Sequence, residues 1–215
     1  MLHSTRASAL LLALVIAGTA GNAEAQIPTT SKGDVAIDRM NAEKLRATMR
    51  ELWAEHVLWT RDYVVAAIDD HPSTSVVAAR LMKNQEDIGN SIVPWYGKEA
   101  GTKLTSLLKE HINVAVELVG AAKAKDSVKV SAADKRWHQN SKDIATFLSG
   151  ANPNWQAATV EKMLNEHLSL TAQEATARLE KRWDDDVRLF DQVFDQIMHM
   201  ADALTDGIVK QFPNK

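Results

Sequence analysis

The feature that most constrains the fold of this 215-residue chain is the spacing of its apolar residues. Between the turn-rich breaks, seam positions recur every three or four residues, which is the pattern of a helix packed on neighbouring helices. The first segment shows the spacing at Leu45, Met49, Leu52, His56, Trp59 and Tyr63. No alternation of apolar and polar residues, as a half-buried strand would show, competes with it. The spacing therefore predicts an all-α protein.

Turn-forming residues are concentrated in a few short stretches of the chain. They occupy residues 69–75 (DDHPSTS), 94–97 (PWYG), 123–134 (KAKDSVKVSAAD) and 149–155 (SGANPNW). Gly, Pro, Ser, Asn and Asp clusters of this kind separate periodic segments. We therefore expect an up-and-down bundle of about six helices that forms a single domain over residues 38–215. Residues 26–37 are polar and turn-rich, which is typical of a flexible leader.

Three Glu-His pairs suggest that the bundle is an internal repeat. The segments LWAEHV, LLKEHI and MLNEHL place His56, His111 and His167 on apolar seams, at spacings of 55 and 56 residues. A regular spacing of this length predicts three repeated helical hairpins. In each second arm a polar residue precedes an Asp by three positions, so both lie on one helix face. These pairs are Asn84/Asp87, Asn140/Asp143 and His199/Asp202.

The position of the last hairpin turn has more than one solution. Residues equally far from an antiparallel turn lie at the same height, and the midpoint of His167 and Asp202 falls near Asp184. A capping box beginning at Thr171 would move the turn back to that residue. A continuous helix from residue 155 to residue 211 is a third alternative. The repeat favours the turn near Asp184.

Two interpretations of the seam histidines are open. In the first, each histidine faces an Asn/Asp pair across its hairpin, and the Asp fixes the imidazole tautomer so that the pair sets helix register. In the second, the hairpins converge and bind a divalent transition metal, because histidine and carboxylate ligands suit Zn, Fe, Mn, Ni and Cu(II). The candidate metal ligands are His56, His111, His167, His199, Asp87, Asp143 and Asp202. The usual di-iron and zincin spacings are missing.

The N-terminus has the pattern of a secretory signal peptide. Residues 1–25 contain Arg6, an apolar run over residues 7–20 and the sequence Ala-Glu-Ala at residues 23–25. Charged, apolar and small-residue regions in that order are typical of a signal peptide. The run is shorter than the roughly 20 apolar residues that a membrane span needs. We therefore expect a periplasmic or secreted protein with no stable membrane anchor after cleavage. The oligomeric state is open.

Charge and motifs argue against several function classes. The formal net charge is −3, with 25 basic and 28 acidic residues mixed along the chain. Nucleic acid is therefore not an expected partner, since no basic stripe is present. The stretch GKEAGTK, which begins at Gly97, lacks the spacing of a phosphate-binding loop. No nucleophile–base arrangement stands out, so the sequence favours a protein that is not an enzyme.

Several segments resemble a group of small bacterial helical proteins of unassigned function. They are EHVLWTRDY, NQEDIGNSIVPWYGKEAGTKLTSLLKEHI, ANPNW, MLNEHL and MADALTDGIVKQF, and the resemblance extends over roughly residues 45–212. Members of that group often carry automatic labels such as glycosyltransferase or acetylglutamate kinase. The resemblance implies no catalytic residues. The labels conflict with this sequence, because such enzymes need an α/β nucleotide-binding domain and the chain offers neither strands nor a Gly-rich loop.

Three functions follow, in decreasing order of support. The first is an exported binding protein that holds a transition metal or small ligand among the seam His and Asp residues. The second is a structural or interaction protein whose buried His-Asp pairs only fix register. The third is the glycosyltransferase activity named by the label.

Overall fold

The structure is a computed structural model that describes the backbone of residues 32–213 and the side chains from Met40 onward. The described residues form six helices and no strand. The helices are α1 (Lys32–Ile68), α2 (Thr74–Ser91), α3 (Val93–Lys123), α4 (Ser127–Ala151), α5 (Ala157–Leu179) and α6 (Trp183–Gln211). The predicted all-α bundle of about six helices is therefore confirmed.

The six helices pack as a closed ring. Each helix contacts the next one along the chain, and α6 packs back against α1. Helices α1, α3 and α5 also contact one another. The odd-numbered helices therefore lie nearer the centre, and each is joined by a short turn to an even-numbered helix.

All three hairpin turns have the same backbone conformation. Each contains one non-glycine residue in the left-handed region, namely Asp70 (φ 54°), Lys125 (φ 57°) or Lys181 (φ 60°). The backbone N–H of the following residue donates a hydrogen bond to the carbonyl five residues before it, as in a Schellman motif. These bonds are His71 N to Ala66 O (2.9 Å), Asp126 N to Ala121 O (3.0 Å) and Arg182 N to Ala177 O (2.9 Å). The turns therefore end α1, α3 and α5 with one shared geometry.

The last of these turns decides between the three sequence-based alternatives. Helix α5 ends at Leu179 and α6 begins at Trp183, so the chain reverses at residues 180–182. Thr171 lies inside α5 and is buried, so a break near that residue is wrong, as is the continuous helix. The predicted turn near Asp184 is only a few residues late, because Asp184 lies in the first turn of α6.

The first helix starts earlier than the sequence suggests. Helix α1 begins at Lys32, inside the segment 26–37 that we predicted to be a leader. The predicted signal peptide, residues 1–25, lies outside the described residues. Within residues 32–213, no helix combines the length and apolar character needed to cross a bilayer.

Helices α2 and α3 meet at a crossing that needs glycine. Only Ile92 separates them, and Gly97 breaks the start of α3 with a φ of 85°. A Cβ atom on Gly89 would lie 1.9 Å from Thr105 Oγ1 and 2.7 Å from Gly101 O. The backbones therefore approach more closely than any larger residue would allow at this position.

The apolar core is divided along the length of the bundle. One cluster contains Trp53, Leu108 and Leu164, which precede the seam histidines by three residues in each odd helix. Two smaller clusters contain residues that follow them, including Ile112 and Leu168. The seam histidines therefore lie where these apolar clusters meet.

Candidate functional site

The seam histidines lie at the centre of the bundle, where α1, α3 and α5 meet. His56, His111 and His167, together called the histidine layer below, are only 3%, 4% and 3% exposed. The ring centroids of His56 and His167 are 5.7 Å apart. His111 is close enough to act electrostatically on both rings. Three helices that are far apart in sequence thus bring their imidazoles into one buried region.

Tryptophan side chains pack against two members of the layer. Trp53 meets His56 edge-on, with ring centroids 5.6 Å apart. Trp137 lies tilted against His111 at 5.3 Å. Such aromatic contacts restrict the orientation of both imidazoles.

Each even helix supplies a buried amide beside the layer. The amide nitrogen donates to a carbonyl of the odd helix, four residues before the histidine in all three hairpins. The bonds are Asn84 Nδ2 to Leu52 O (3.0 Å), Asn140 Nδ2 to Leu107 O (3.0 Å) and Gln196 Nε2 to Met163 O (2.8 Å). Each carbonyl therefore accepts a side-chain bond from the paired helix at the same height in the hairpin.

Amides also lie against the imidazoles, and one of them determines which ring nitrogen carries the proton. His111 Nδ1 lies 2.9 Å from Asn140 Oδ1, which can only accept, so Nδ1 carries the proton. His56 Nδ1 lies 3.3 Å from Gln85 Nε2, whose two hydrogens are directed at Leu81 O (2.9 Å) and Asn84 Oδ1 (3.1 Å), so this contact is the weakest of the three. His167 Nδ1 and Gln196 Oε1 are both buried and form no hydrogen bond of regular geometry, although the Gln196 side chain interacts with His167.

Burial keeps the histidine layer neutral at pH 7. Loss of hydration lowers the pKa of His111 to about 4 and that of His167 to about 3, and it lowers the pKa of His56 well below 6.5. The neighbouring imidazoles lower the pKa of His56 and His167 further, whereas Asn140, whose oxygen accepts from His111 Nδ1, partly opposes the lowering of the His111 pKa. Desolvation dominates because a charged imidazole in this region would have no solvent around it.

The aspartates that we predicted as histidine partners lie elsewhere. Asp87 pairs with Lys83, and Asp143 accepts a bond from Gln139 Nε2 (2.9 Å). Asp202 accepts bonds from the first helix, from Arg46 Nη1 (3.1 Å) and Arg50 Nε (2.8 Å). The predicted His-Asp contacts are therefore wrong. Neutral amides, which cost less to bury than carboxylates, take their place.

The third hairpin differs most from the repeat that the sequence predicts. We matched His199 to Asn84 and Asn140, but His199 is exposed and lies in a surface groove with Glu166 and Asp195. The equivalent residue is Gln196, which lies 29 positions after His167, as Asn140 does after His111. The interval of 29 residues from the seam histidine could have identified Gln196 from the sequence.

The seven candidate metal ligands are thus divided between the interior and the surface. The histidine layer is buried, whereas His199 is exposed and Asp87, Asp143 and Asp202 pair with surface side chains. Among the described residues, no three His, Cys, Asp or Glu side chains form a group that could hold a metal ion.

Sequence reasoning missed a second buried polar cluster. Arg61 on α1 donates from Nη1 to Glu174 Oε1 on α5 (2.5 Å) and to Asp186 Oδ1 on α6 (2.9 Å). Glu174 and Asp186 are each only 2% exposed. Burial raises the pKa of Glu174 to about 7; Arg61 opposes this rise, and Asp186 adds to it. Glu174 follows His167 by seven residues, so both lie on the same helix face. This spacing could have predicted from the sequence that Glu174 is buried.

Comparisons with known proteins give no relative. No family model matches this chain, and no match was found among curated proteins or solved structures. The predicted resemblance to a bacterial family stays a prediction. Function must therefore be inferred from the contacts of the site itself.

Proposed function

We propose that this chain is an exported structural or interaction protein, built from three copies of one helical hairpin whose buried histidine layer fixes helix register. One observation carries the proposal. In all three hairpins a buried side-chain amide of the second helix donates a hydrogen bond to a backbone carbonyl of the first helix, four residues before the buried histidine. Bonds at matched heights hold each pair of helices at one axial offset.

The positions of these features support descent from one repeated unit. The left-handed turn residue follows the seam histidine by 14 positions in every hairpin. The amide follows the histidine by 28, 29 and 29 positions. Intervals that agree to within one residue for the histidine, the turn and the amide are what a duplicated unit predicts.

The energetics of a polar layer favour a role in register. Sliding one helix by a turn would bury the amide and the imidazole without partners. Each unpaired buried polar group costs about 1–3 kcal/mol. An apolar seam would lose much less on sliding, since one aliphatic contact replaces another. Where the polar groups are paired, as His111 is with Asn140, the layer thus specifies one packing.

The test combines metal analysis with stability measurements. The mature protein, purified without chelator or affinity tag, is analysed for metal and titrated with Cu, Zn, Fe and Ni. We expect no stoichiometric metal. The variants His56→Ala, His111→Ala and His167→Ala should each lose stability, and for each variant the loss should be the same with and without added metal. Asn84→Leu keeps all three histidines and should also lower stability. Stoichiometric metal that disappears in the histidine variants while helicity is retained would overturn the structural role.

A ligand-binding role is the second candidate, and one observation favours it. His167 Nδ1 and Gln196 Oε1 are both buried and form no hydrogen bond of regular geometry, which is rare for polar atoms in folded proteins, although the Gln196 side chain interacts with His167. Neutral imidazole is also the form that binds transition metals. In that case His167→Ala should abolish binding of the titrated metal, whereas Gln139→Ala, on the surface of α4, should leave it unchanged.

A further inference from the structure

We propose that the histidine layer is an acid-sensitive switch: uptake of protons by its imidazoles opens the bundle. The proposal goes beyond a role in register, and it concerns the layer without bound metal, because a metal would compete with protons for the imidazole nitrogens. Its basis is geometric, since imidazoles from three helices share one buried region and two of the rings are 5.7 Å apart.

No described acidic group is placed to stabilise a charged imidazole in the layer. The groups that act on the three rings are the other imidazoles and the amides Gln85, Asn140 and Gln196, which come from α2, α4 and α6. The glutamates that precede the histidines face outward. Glu55 pairs with Arg80, and Glu110 and Glu166 are exposed. A proton on the layer therefore meets only neutral dipoles and neighbouring rings.

The carboxylates nearest along the seam belong to the cluster around Arg61. Glu174 and Asp186 both pair with Arg61 from α1, and Asp186 also accepts a bond from Arg178. These carboxyls already have a cationic partner, so they do not compensate an imidazolium. Protonation of Glu174 acts in the opposite direction to protonation of the layer, because it relieves the burial of a negative charge. Proton uptake by the layer must therefore be measured in a variant in which Glu174 cannot titrate.

The expected effect has a definite sign and size. Histidines in the unfolded chain take up protons near pH 6.5, whereas the buried layer resists protonation. Stability from the layer is thus fully present above that pH and falls as the pH drops below it. At pH 5 each such histidine multiplies the unfolding equilibrium constant by about 30, so three multiply it by roughly 3 × 10⁴. Most carboxylates titrate below this window.

The experiment measures proton uptake on unfolding. Urea unfolding of the mature chain carrying Glu174→Gln is followed at several pH values between 5 and 8. We expect an uptake of close to three protons per molecule near pH 5.5, and the layer variant His111→Gln should reduce it by about one. The matched control His138→Gln, an exposed histidine on α4, should leave the uptake unchanged.

Two results would overturn the switch. One is an uptake below one proton in the Glu174→Gln background. The other is an equal effect of His111→Gln and His138→Gln. If His111→Gln fails to fold, direct pH-stat measurement of protons taken up when the Glu174→Gln protein unfolds still gives the number. Because the readout is proton count rather than metal content, its failure is distinct from failure of the register role.

Discussion

His56 and His167 face each other across the centre of the bundle, with ring centroids 5.7 Å apart, although they lie on the first and fifth helices. The contact exists because the odd helices lie inside the ring, so their seams meet. Two neutral imidazoles can pack in this way, whereas two charged ones would repel each other in a region of low dielectric. The protonation state of the layer and the packing of the helices are therefore coupled.

Removal of an amide beside the layer should cost more than removal of its surface neighbour. Asn140→Leu takes away the acceptor of His111 Nδ1–H and the donor to Leu107 O. We expect a loss of about 1–3 kcal/mol in the free energy of unfolding, because a buried donor is left unpaired. Gln139→Leu, one residue earlier and exposed, should change it by about 0.5 kcal/mol or less. Urea denaturation at pH 8 compares the two, and equal losses would remove the energetic role of the amide.

The crossing of α2 and α3 should tolerate no side chain at Gly89. A Cβ there would lie 2.7 Å from the backbone oxygen of Gly101, which cannot rotate away. Gly89→Ala should therefore destabilise the protein by about 1–3 kcal/mol, the usual cost of overpacking. Gly120→Ala is the control, since nothing lies within 4 Å of its added Cβ and helix propensity favours Ala by roughly 1 kcal/mol. Thermal melts should move in opposite directions, and a parallel shift would contradict the close approach.

Much of the fold follows from periodicity, because a helical seam is a local property of the sequence. The turn at residues 69–73 and the one at 124–126 were visible as polar clusters. The turn at residues 180–182 has no Gly or Pro, and only the repeat predicted a reversal near it. Lys181 adopts φ 60° there without any compositional signal. The bond from Arg182 N to Ala177 O accompanies that conformation, as the equivalent bonds do in the other two turns.

The site was predictable only in part. The seam spacing predicted that His56, His111 and His167 face the core, since a residue on an apolar helix face is buried by its neighbours. The partners were not predictable from the same spacing, because residues three positions apart lie about 60° apart around a helix. Asn140 therefore points inward while Asp143 lies at the surface, a difference set by how the hairpins rotate as they pack.

Glycine should stabilise the hairpin turns where lysine now adopts a left-handed conformation. Lys125 (φ 57°) and Lys181 (φ 60°) are exposed and occupy the position that usually holds Gly. We expect Lys125→Gly and Lys181→Gly each to raise the free energy of unfolding by about 0.5–1 kcal/mol, because the Cβ penalty is removed. Lys135→Gly, at an exposed position inside α4, should lower it by a similar amount. Losses at all three positions would show that the lysine side chains contribute contacts at the turns.

The buried carboxyl of Glu174 should make stability fall as the pH rises through 7. Its pKa in the folded protein is about 7, raised from 4.5 mainly by burial. The neutral form is thus favoured on folding, so its contribution is fully present below about pH 4.5 and is lost as the pH passes 7. Glu174→Gln keeps a neutral side chain at every pH, and Asp186 still pairs with Arg61.

The measurement is the difference in unfolding free energy between Glu174→Gln and the wild type at pH 5 and at pH 8. We expect this difference to shift by roughly 3 kcal/mol in favour of the variant at the higher pH. Glu166→Gln, an exposed position on the same helix, should show no comparable shift. A difference that is constant with pH, or that moves the other way, would mean that Arg61 holds Glu174 in its charged form. The cluster would then act as a simple ion pair joining α1 to α5 and α6.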